Sequence, residues 1–189
     1  MTDQLNISSV IVNGRGNKTA AILNGKERYY VQFDTPAQCL WPPSNFDKNE
    51  EATRMGINFE PTDEIVQFFT EFDAWAKQYI HQHSERLFGK AMTPEQVEMG
   101  YHSCLKEKSA KFKINMPNAA TPTRFWSEDG EALPWPTSWM QCFKLRMKCS
   151  HLWMMGGAKD KSFGFVMICE DLCPQAQVAA SPWAKTIAE

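Results

Sequence analysis

The sequence predicts an α+β fold: a small antiparallel β-barrel carrying a helical insertion. Three observations predict it. Runs of β-forming residues, punctuated by turn signals, occupy both ends of the chain. One block of helical periodicity lies between them. The strand runs are too short and too turn-rich for a parallel βαβ sheet. At 189 residues the chain has room for one domain, or one domain with a large insertion. A hydrophobic fraction of 43% with 22% charged residues fits a globular protein and argues against wholesale disorder.

The opening third reads as strands. Val10-Ile11-Val12 precede a glycine-rich turn, Asn13-Gly14-Arg15-Gly16-Asn17. Thr19 to Leu23 follow, then Asn24-Gly25, a strong hairpin signal. Arg28 to Phe33 form the next strand, with Tyr29, Val31 and Phe33 on one face. Residues 34–49 hold Pro36, Pro42 and Pro43 and read as a loop. The middle is helical. Thr62 caps a helix whose first turn carries Asp63 and Glu64, favourable at the positive end of the dipole. Phe68, Phe69, Phe72, Trp75, Tyr79 and Ile80 recur at three- and four-residue steps, an aromatic stripe that reads as core. Gly89 stops this helix. Thr93-Pro94-Glu95-Gln96 opens a second with capping-box spacing, which runs to about Leu105. The helical insertion therefore spans about 62–106.

The last third returns to strands. Lys111-Phe112-Lys113-Ile114 alternates basic and apolar residues. Arg124-Phe125-Trp126 and Ala132-Leu133 flank the hairpin signal Asp129-Gly130. From Trp139 to Met147, Phe143, Leu145 and Met147 share one face, while Lys144, Arg146 and Lys148 share the other. His151 to Met155 lead to Gly156-Gly157, and Phe163 to Cys169 form a buried-strand candidate. The tail from Pro174 is rich in Ala, Gln and Pro and reads as mobile or draped, which leaves residues 1–173 as the single domain.

Catalytic constellations are weak. Gly14-Arg15-Gly16 is a turn rather than a phosphate-binding loop, and no serine sits in a nucleophile elbow. His81 and His83 are two apart on a helix and cannot share a metal there. Cys149, His151, Cys169 and Cys173 match paired zinc-knuckle spacings poorly. Glu170 and Asp171 are adjacent after a strand, so alternation points them opposite ways as solvated turn residues. The expectation is no enzyme, no metal and no cofactor. The six cysteines are scattered, and the N-terminus lacks a basic segment followed by an apolar one. The reading is an intracellular protein with reduced thiols. No apolar run approaches the ~18 residues that would span a bilayer.

Binding features are stronger. The formal net charge is only −2, but it hides a division. Residues 1–99 hold 9 Lys/Arg against 14 Asp/Glu, whereas residues 105–161 hold 10 against 5. The seven tryptophans include Trp126, Trp135, Trp139 and Trp153 in that basic stretch. A strand reading Phe-Lys-Leu-Arg-Met-Lys presents a row of cations able to follow a phosphate backbone, and nearby aromatics can stack on bases.

The pieces Lys111 to Ile114, the Asp129-Gly130 hairpin, the strand Cys142 to Lys148, Leu152-Trp153, Gly156-Gly157 and Ser162 to Met167 carry a resemblance. In order and character they resemble the C-terminal part of the OB-fold single-stranded DNA-binding proteins of phages and large DNA viruses. Asn24-Gly25-Lys26 with the Tyr29 to Phe33 strand extends the match to about half the chain. The resemblance implies an OB-like Greek-key barrel and a viral protein that binds single-stranded DNA, largely without sequence preference, in replication or recombination. It places Lys111, Lys113, Lys144, Arg146 and Lys148 toward phosphate and Trp126, Trp139 or Trp153 toward bases, with Arg124 beside them. It implies action in the cytoplasm, the nucleus or a viral replication site, with replication proteins and further copies of the chain as candidate partners. One departure stands out. The phage proteins end in an acidic tail that recruits replication partners, whereas Trp183 to Glu189 is nearly neutral. The rival readings are an assembly or interaction protein, which requires an exposed apolar patch and self-association, and an RNA-binding protein.

Overall fold

The computed structural model describes residues 4–12, 17–45, 51–156 and 161–175. In chain order the elements begin with β1 (Leu5–Ile7), β2 (Ile11–Val12), β3 (Lys18–Asn24), β4 (Glu27–Ser44) and β5 (Arg54–Phe59). Two helices follow, α1 (Asp63–Phe88) and α2 (Pro94–Gly100). Then come β6 (Tyr101–His102), β7 (Leu105–Lys106), β8 (Ser109–Asn115), β9 (Arg124–Trp126) and β10 (Ala132–Leu133). The long strands β11 (Cys142–Met155) and β12 (Ser162–Gln175) complete the order. The fold is mostly β, with both helices between β5 and β8. The glycine-rich turn at 13–16, residues 157–160 and the tail from 176, with Trp183, lie outside the described residues. Pro174 and Gln175, which the sequence assigns to the tail, belong to β12.

Five strands close a ring through their hydrogen-bond ladders, in the order β4–β5–β8–β12–β11 and back to β4. The sequence predicts antiparallel pairing throughout, and here the structure differs. The pairing of β8 with β12 is parallel. The reason is parity: a closed ring with an odd number of strands cannot alternate direction at every step. The same edge of β12 also takes β6 and β9 in parallel, so three successive pieces of chain lie along it. Opposite, β11 runs antiparallel beside β12 along its whole length.

The expected loop over 34–49 is also corrected. β4 continues as strand through Ser44, carrying Pro36, Pro42 and Pro43. Proline lacks a backbone N–H and is tolerated only where no ladder bond is needed. Pro42 and Pro43 sit where the register with β5 shifts, between Trp41 and Ser44. The Asn24-Gly25 hairpin forms as the sequence reads, with Gly25 at φ 64°, a conformation glycine adopts without steric cost.

Helix α1 seals the ring. Thr62 Oγ1 accepts from the Ile65 N–H at 3.3 Å, and Gly89 ends the helix in the left-handed region at φ 70°. Its aromatic stripe is core: Phe69 stacks on Phe112 of β8 at 5.8 Å, Phe72 meets Phe165 of β12 at 5.1 Å, and Phe68 meets Phe33 of β4 at 5.5 Å. The second helix is shorter than the sequence predicts. It stops at Gly100, five residues before Leu105, because the chain there joins β12 as β6. Gly100 makes that turn: a Cβ would lie 2.5 Å from the Lys161 carbonyl oxygen and 2.6 Å from the Phe163 ring.

Replacing Phe69 by Ala, at 1% exposure, deletes the ring that ties α1 to β8. The expected loss is about 3–5 kcal/mol of folding stability, read from the urea midpoint at unchanged slope.

Candidate nucleic-acid interface

Alternation along β11 sends Phe143, Leu145, Met147 and Cys149 inward, all at most 2% exposed. Lys144, Arg146 and Lys148 take the opposite face, as the sequence predicts. Strict alternation would then place Trp153 inward. It does not, because Ser150 is an extra residue in β11: Cys149 faces Met167 and His151 faces Val166. This bulge moves the outward positions from even to odd numbers, so His151 and Trp153 join the cations. A second bulge in β12 leaves Glu170 unpaired between Cys169 and Asp171. It overturns the expectation that Glu170 and Asp171 point opposite ways as solvated turn residues. Both lie within a strand, and both meet outward cations: Glu170 pairs with Lys148, and Asp171 with Arg146.

The outward face is organised in cross-strand rows. Gln32, Arg146, Asp171 and Arg124 form one row across β4, β11, β12 and β9. Tyr30, Lys148, Ile168 and Lys113 form the next, ending at Gly56 of β5. Trp153, Gly164 and His102 form the far row. Lys111 lies two residues from Lys113 on the same exposed face of β8. The structure thus brings together eight of the nine residues that the sequence and the resemblance single out. Trp139 is the exception. Its ring packs at 5.8 Å on Phe125, 5.7 Å on Trp135 and 5.9 Å on Phe143, and Phe125 and Phe143 both belong to the core. Trp139 therefore seals the aromatic interior instead of joining the cation rows.

Asp171 organises one end of the strip. Its Oδ1 accepts from Trp126 Nε1 at 2.8 Å and pairs with Arg124 Nε at 2.8 Å, and its Oδ2 accepts from Arg146 at 2.7 Å. Burial alone would raise this carboxyl, but the bonds from Trp126, Arg124 and Arg146 outweigh it and hold it below the usual carboxylate range. The Arg146 guanidinium lies 4.7 Å from the Tyr30 ring centre and Arg124 lies 5.7 Å from that of Trp126. Asp171, Arg124, Trp126 and Arg146 line a cleft of about 390 Å³. Lys144 adds an ion pair with Glu128 at 2.8 Å.

The other end is a smaller cleft of about 190 Å³ lined by Lys111, Lys113 and Trp153. The Trp153 indole leans on the His102 ring, 5.7 Å between centres. Gly164 makes room for it: a Cβ there would collide with the His102 carbonyl oxygen and stand 3.2 Å from the indole. Among the described residues, Lys111 and Lys113 have no carboxylate at ion-pair distance. Across the strip the cations Lys111, Lys113, Arg124, Lys144, Arg146 and Lys148 thus exceed the carboxylates Asp34, Glu128, Glu170 and Asp171. Burial, and then Arg54 and Arg28, lower the affinity of His151 for a proton.

Three residues of the strip were not singled out from the sequence. Tyr30 had a signal, since it alternates with the inward Tyr29 and Val31. His151 and His102 had none, because the first depends on a bulge and the second on a parallel pairing between distant segments. The four residues with imperfect zinc-knuckle spacing divide: Cys149 and Cys169 are buried, while His151 and Cys173 are only partly covered. Burial pushes the Cys149 thiol well up. All six cysteines are free thiols. Among the described residues no three His, Cys, Asp or Glu side chains gather as a metal site, and no helix is long and apolar enough to cross a membrane.

No protein-family model matches the chain, and no curated protein matches it. Solved structures similar to it include the single-stranded DNA-binding protein from bacteriophage Enc34, at 9% identity, TM-score 0.41, covering 91% of this chain and 89% of that one. A C-terminal truncation of that protein matches at 8% identity, TM-score 0.42, covering 93% and 96%. The same protein in complex with ssDNA matches at 8% identity, TM-score 0.39, covering 90% and 92%.

The depressed Asp171 carboxyl sets a pH dependence. A group whose folded pKa lies below its unfolded value stabilises the fold above the unfolded value, about 3.9 for Asp, and loses that contribution as pH falls through the folded value. Asp171→Asn is therefore expected to be less stable than the parent at pH 7, by about 1–3 kcal/mol for lost charged hydrogen bonds. The gap should narrow as pH falls below about 4, followed by urea titration at each pH.

Proposed function

We propose that this protein binds single-stranded DNA, without catalysis and largely without sequence preference, along the outward strip of β4, β11, β12 and β8. The observation that carries the reading is the set of cross-strand rows in which cations and aromatic rings share one face. Phosphates would be met by Lys111, Lys113 and Lys148, and by the outer N–H groups of Arg124 and Arg146. A guanidinium carries five donors, so an arginine engaged with Asp171 can still reach a phosphate oxygen. Bases would stack on Trp153 at one end and on Trp126 or Tyr30 at the other. Asp171 and Gly164 lie seven residues apart along β12, so the two stacking ends are separated by roughly 20–23 Å at strand rise. Phosphate contact and stacking do not read base edges, and both tolerate any sequence.

The carboxylates moderate this attraction. Glu128, Glu170 and Asp171 hold four of the six cations in place, which keeps the strip pre-organised and lowers its net field. Lys111 and Lys113, free of such partners, would carry the larger share of the salt-dependent term. The strand ring further supports an OB-like Greek-key barrel as the architecture, in a single domain that runs past residue 173 to take in the end of β12. Work on single strands points to DNA replication or recombination in an infected cell, with replication proteins as the natural partners.

Titration with oligo(dT) at low salt is expected to quench tryptophan fluorescence, with affinity falling steeply as salt rises. Trp153→Ala should cost about 1–3 kcal/mol of binding. Replacing Lys111 and Lys113 together by Ala should reduce the log–log salt slope by about 1.4. Absence of both quenching and a gel shift at low salt would refute the reading, and competition with oligo(U) decides between DNA and RNA.

A further inference from the structure

The strip leaves one edge of β4 unused. One side of that strand pairs with β11 through Tyr29 to Phe33, and β5 joins the other side only from Cys39 onward. Among the described residues no strand pairs with that other side over Tyr29 to Phe33. A bare edge presents backbone N–H and C=O groups that another chain can complete. Beside it runs a groove of about 460 Å³, with β4 as one wall and the Glu64, Gln67, Phe68 and Glu71 face of α1 as the other. These four positions follow helical spacing, so a single face of α1 supplies the wall.

The groove has a defined chemistry and a defined end. Phe68 gives it an apolar floor, and no Lys or Arg lines it. Glu64 closes one end by accepting from the Thr35 N–H at 2.9 Å and the Asp34 N–H at 3.4 Å. Pro36, just beyond, has no N–H to offer. The usable edge is therefore about five residues, roughly 16 Å of extended chain. Glu71 leaves a second carboxylate along the wall. This acidic rim is opposite in sign to the DNA-facing strip, and in a symmetric pairing of two copies it would meet its own like charge.

We infer that the open edge of β4 is a docking site for an extended, lysine- or arginine-bearing segment of a partner protein, which adds as a strand and places its cations against Glu64 and Glu71. Main-chain hydrogen bonds would supply the affinity, and alternate side chains would point to Phe68 on one side and solvent on the other. The inference does not depend on nucleic acid and stands or falls without it.

The probe is a fluorescein-labelled peptide of alternating Lys and Val, six residues long, followed by anisotropy at moderate salt. It is expected to bind, and its Glu-Val counterpart is not. N-methylation of alternate peptide amides should abolish binding, which mere charge attraction would not do. Glu71→Lys should weaken the Lys-Val peptide at least fivefold and leave oligo(dT) affinity unchanged; Glu64→Gln, which keeps an acceptor for Thr35, should weaken it by a smaller factor. Equal binding of the N-methylated peptide, no binding of the parent peptide, or an unchanged affinity in Glu71→Lys each overturns the inference. Loss of oligo(dT) binding alone would count against the DNA reading and not against this one.

Discussion

The β11–β12 ladder is the constraint on which the rest of the molecule depends. These two strands share a register from Cys142 opposite Gln175 to Met155 opposite Ser162. Side chains in a strand alternate faces strictly, so one inserted residue reverses every position beyond it. The ladder contains two such insertions, Ser150 in β11 and Glu170 in β12, on opposite strands. Each changes parity where the sequence itself changes parity. Leu152 and Met154 thereby stay in the core after Cys149, and Trp153 stays outside with Lys144, Arg146 and Lys148. Without Ser150 the indole would be forced inward and Leu152 would be expelled.

The ring and its aromatic filling follow from that ladder. β11 and β12 each offer a second edge, to β4 and β8 respectively, and β5 bridges those two. An odd ring must hold one parallel contact, and it falls at β8–β12. The interior is then closed from two directions. Helix α1 drives Phe68, Phe69 and Phe72 against Phe33, Phe112 and Phe165, while Trp135 and Trp139 cover Phe125 and Phe143. Of the six described tryptophans, Trp75, Trp135 and Trp139 pack against this aromatic core, Trp126 and Trp153 lie on the outward strip, and Trp41 is exposed.

Asp171 links stability to the surface. One carboxylate gathers Trp126 and Arg124 from β9 and Arg146 from β11, so three strands are tied at a single point on the outer face. The cost of covering the carboxylate is offset by three donors, two of them charged. The two guanidinium groups are thereby held over the Tyr30 and Trp126 rings and remain partly open to solvent. The near-neutral total charge is thus an average over distinct surfaces, a cation-rich strand face and an acidic groove between β4 and α1.

Much of this was legible in the sequence. Thr62 and Gly89 mark the ends of α1, Asn24-Gly25 and Asp129-Gly130 mark hairpins, and the Phe143 to Lys148 alternation separates core from cations. These are local properties, written in caps, turn conformations and periodicity over a few residues. What the tertiary structure alone decided is non-local. Pro36, Pro42 and Pro43 lie in a strand because their missing N–H groups fall where the ladder makes no demand. Glu170 and Asp171 both meet outward cations, Lys148 for the first and Arg146 and Arg124 for the second, because a bulge cancels alternation. His102 reaches Trp153 because β6 lies along β12, and Trp139 turns to the core because Phe125 and Phe143 converge there. The chain by itself determined which residues are cationic, aromatic and alternating. Which of them share a surface was decided by register and closure, since a one-residue shift in pairing moves a side chain to the opposite face.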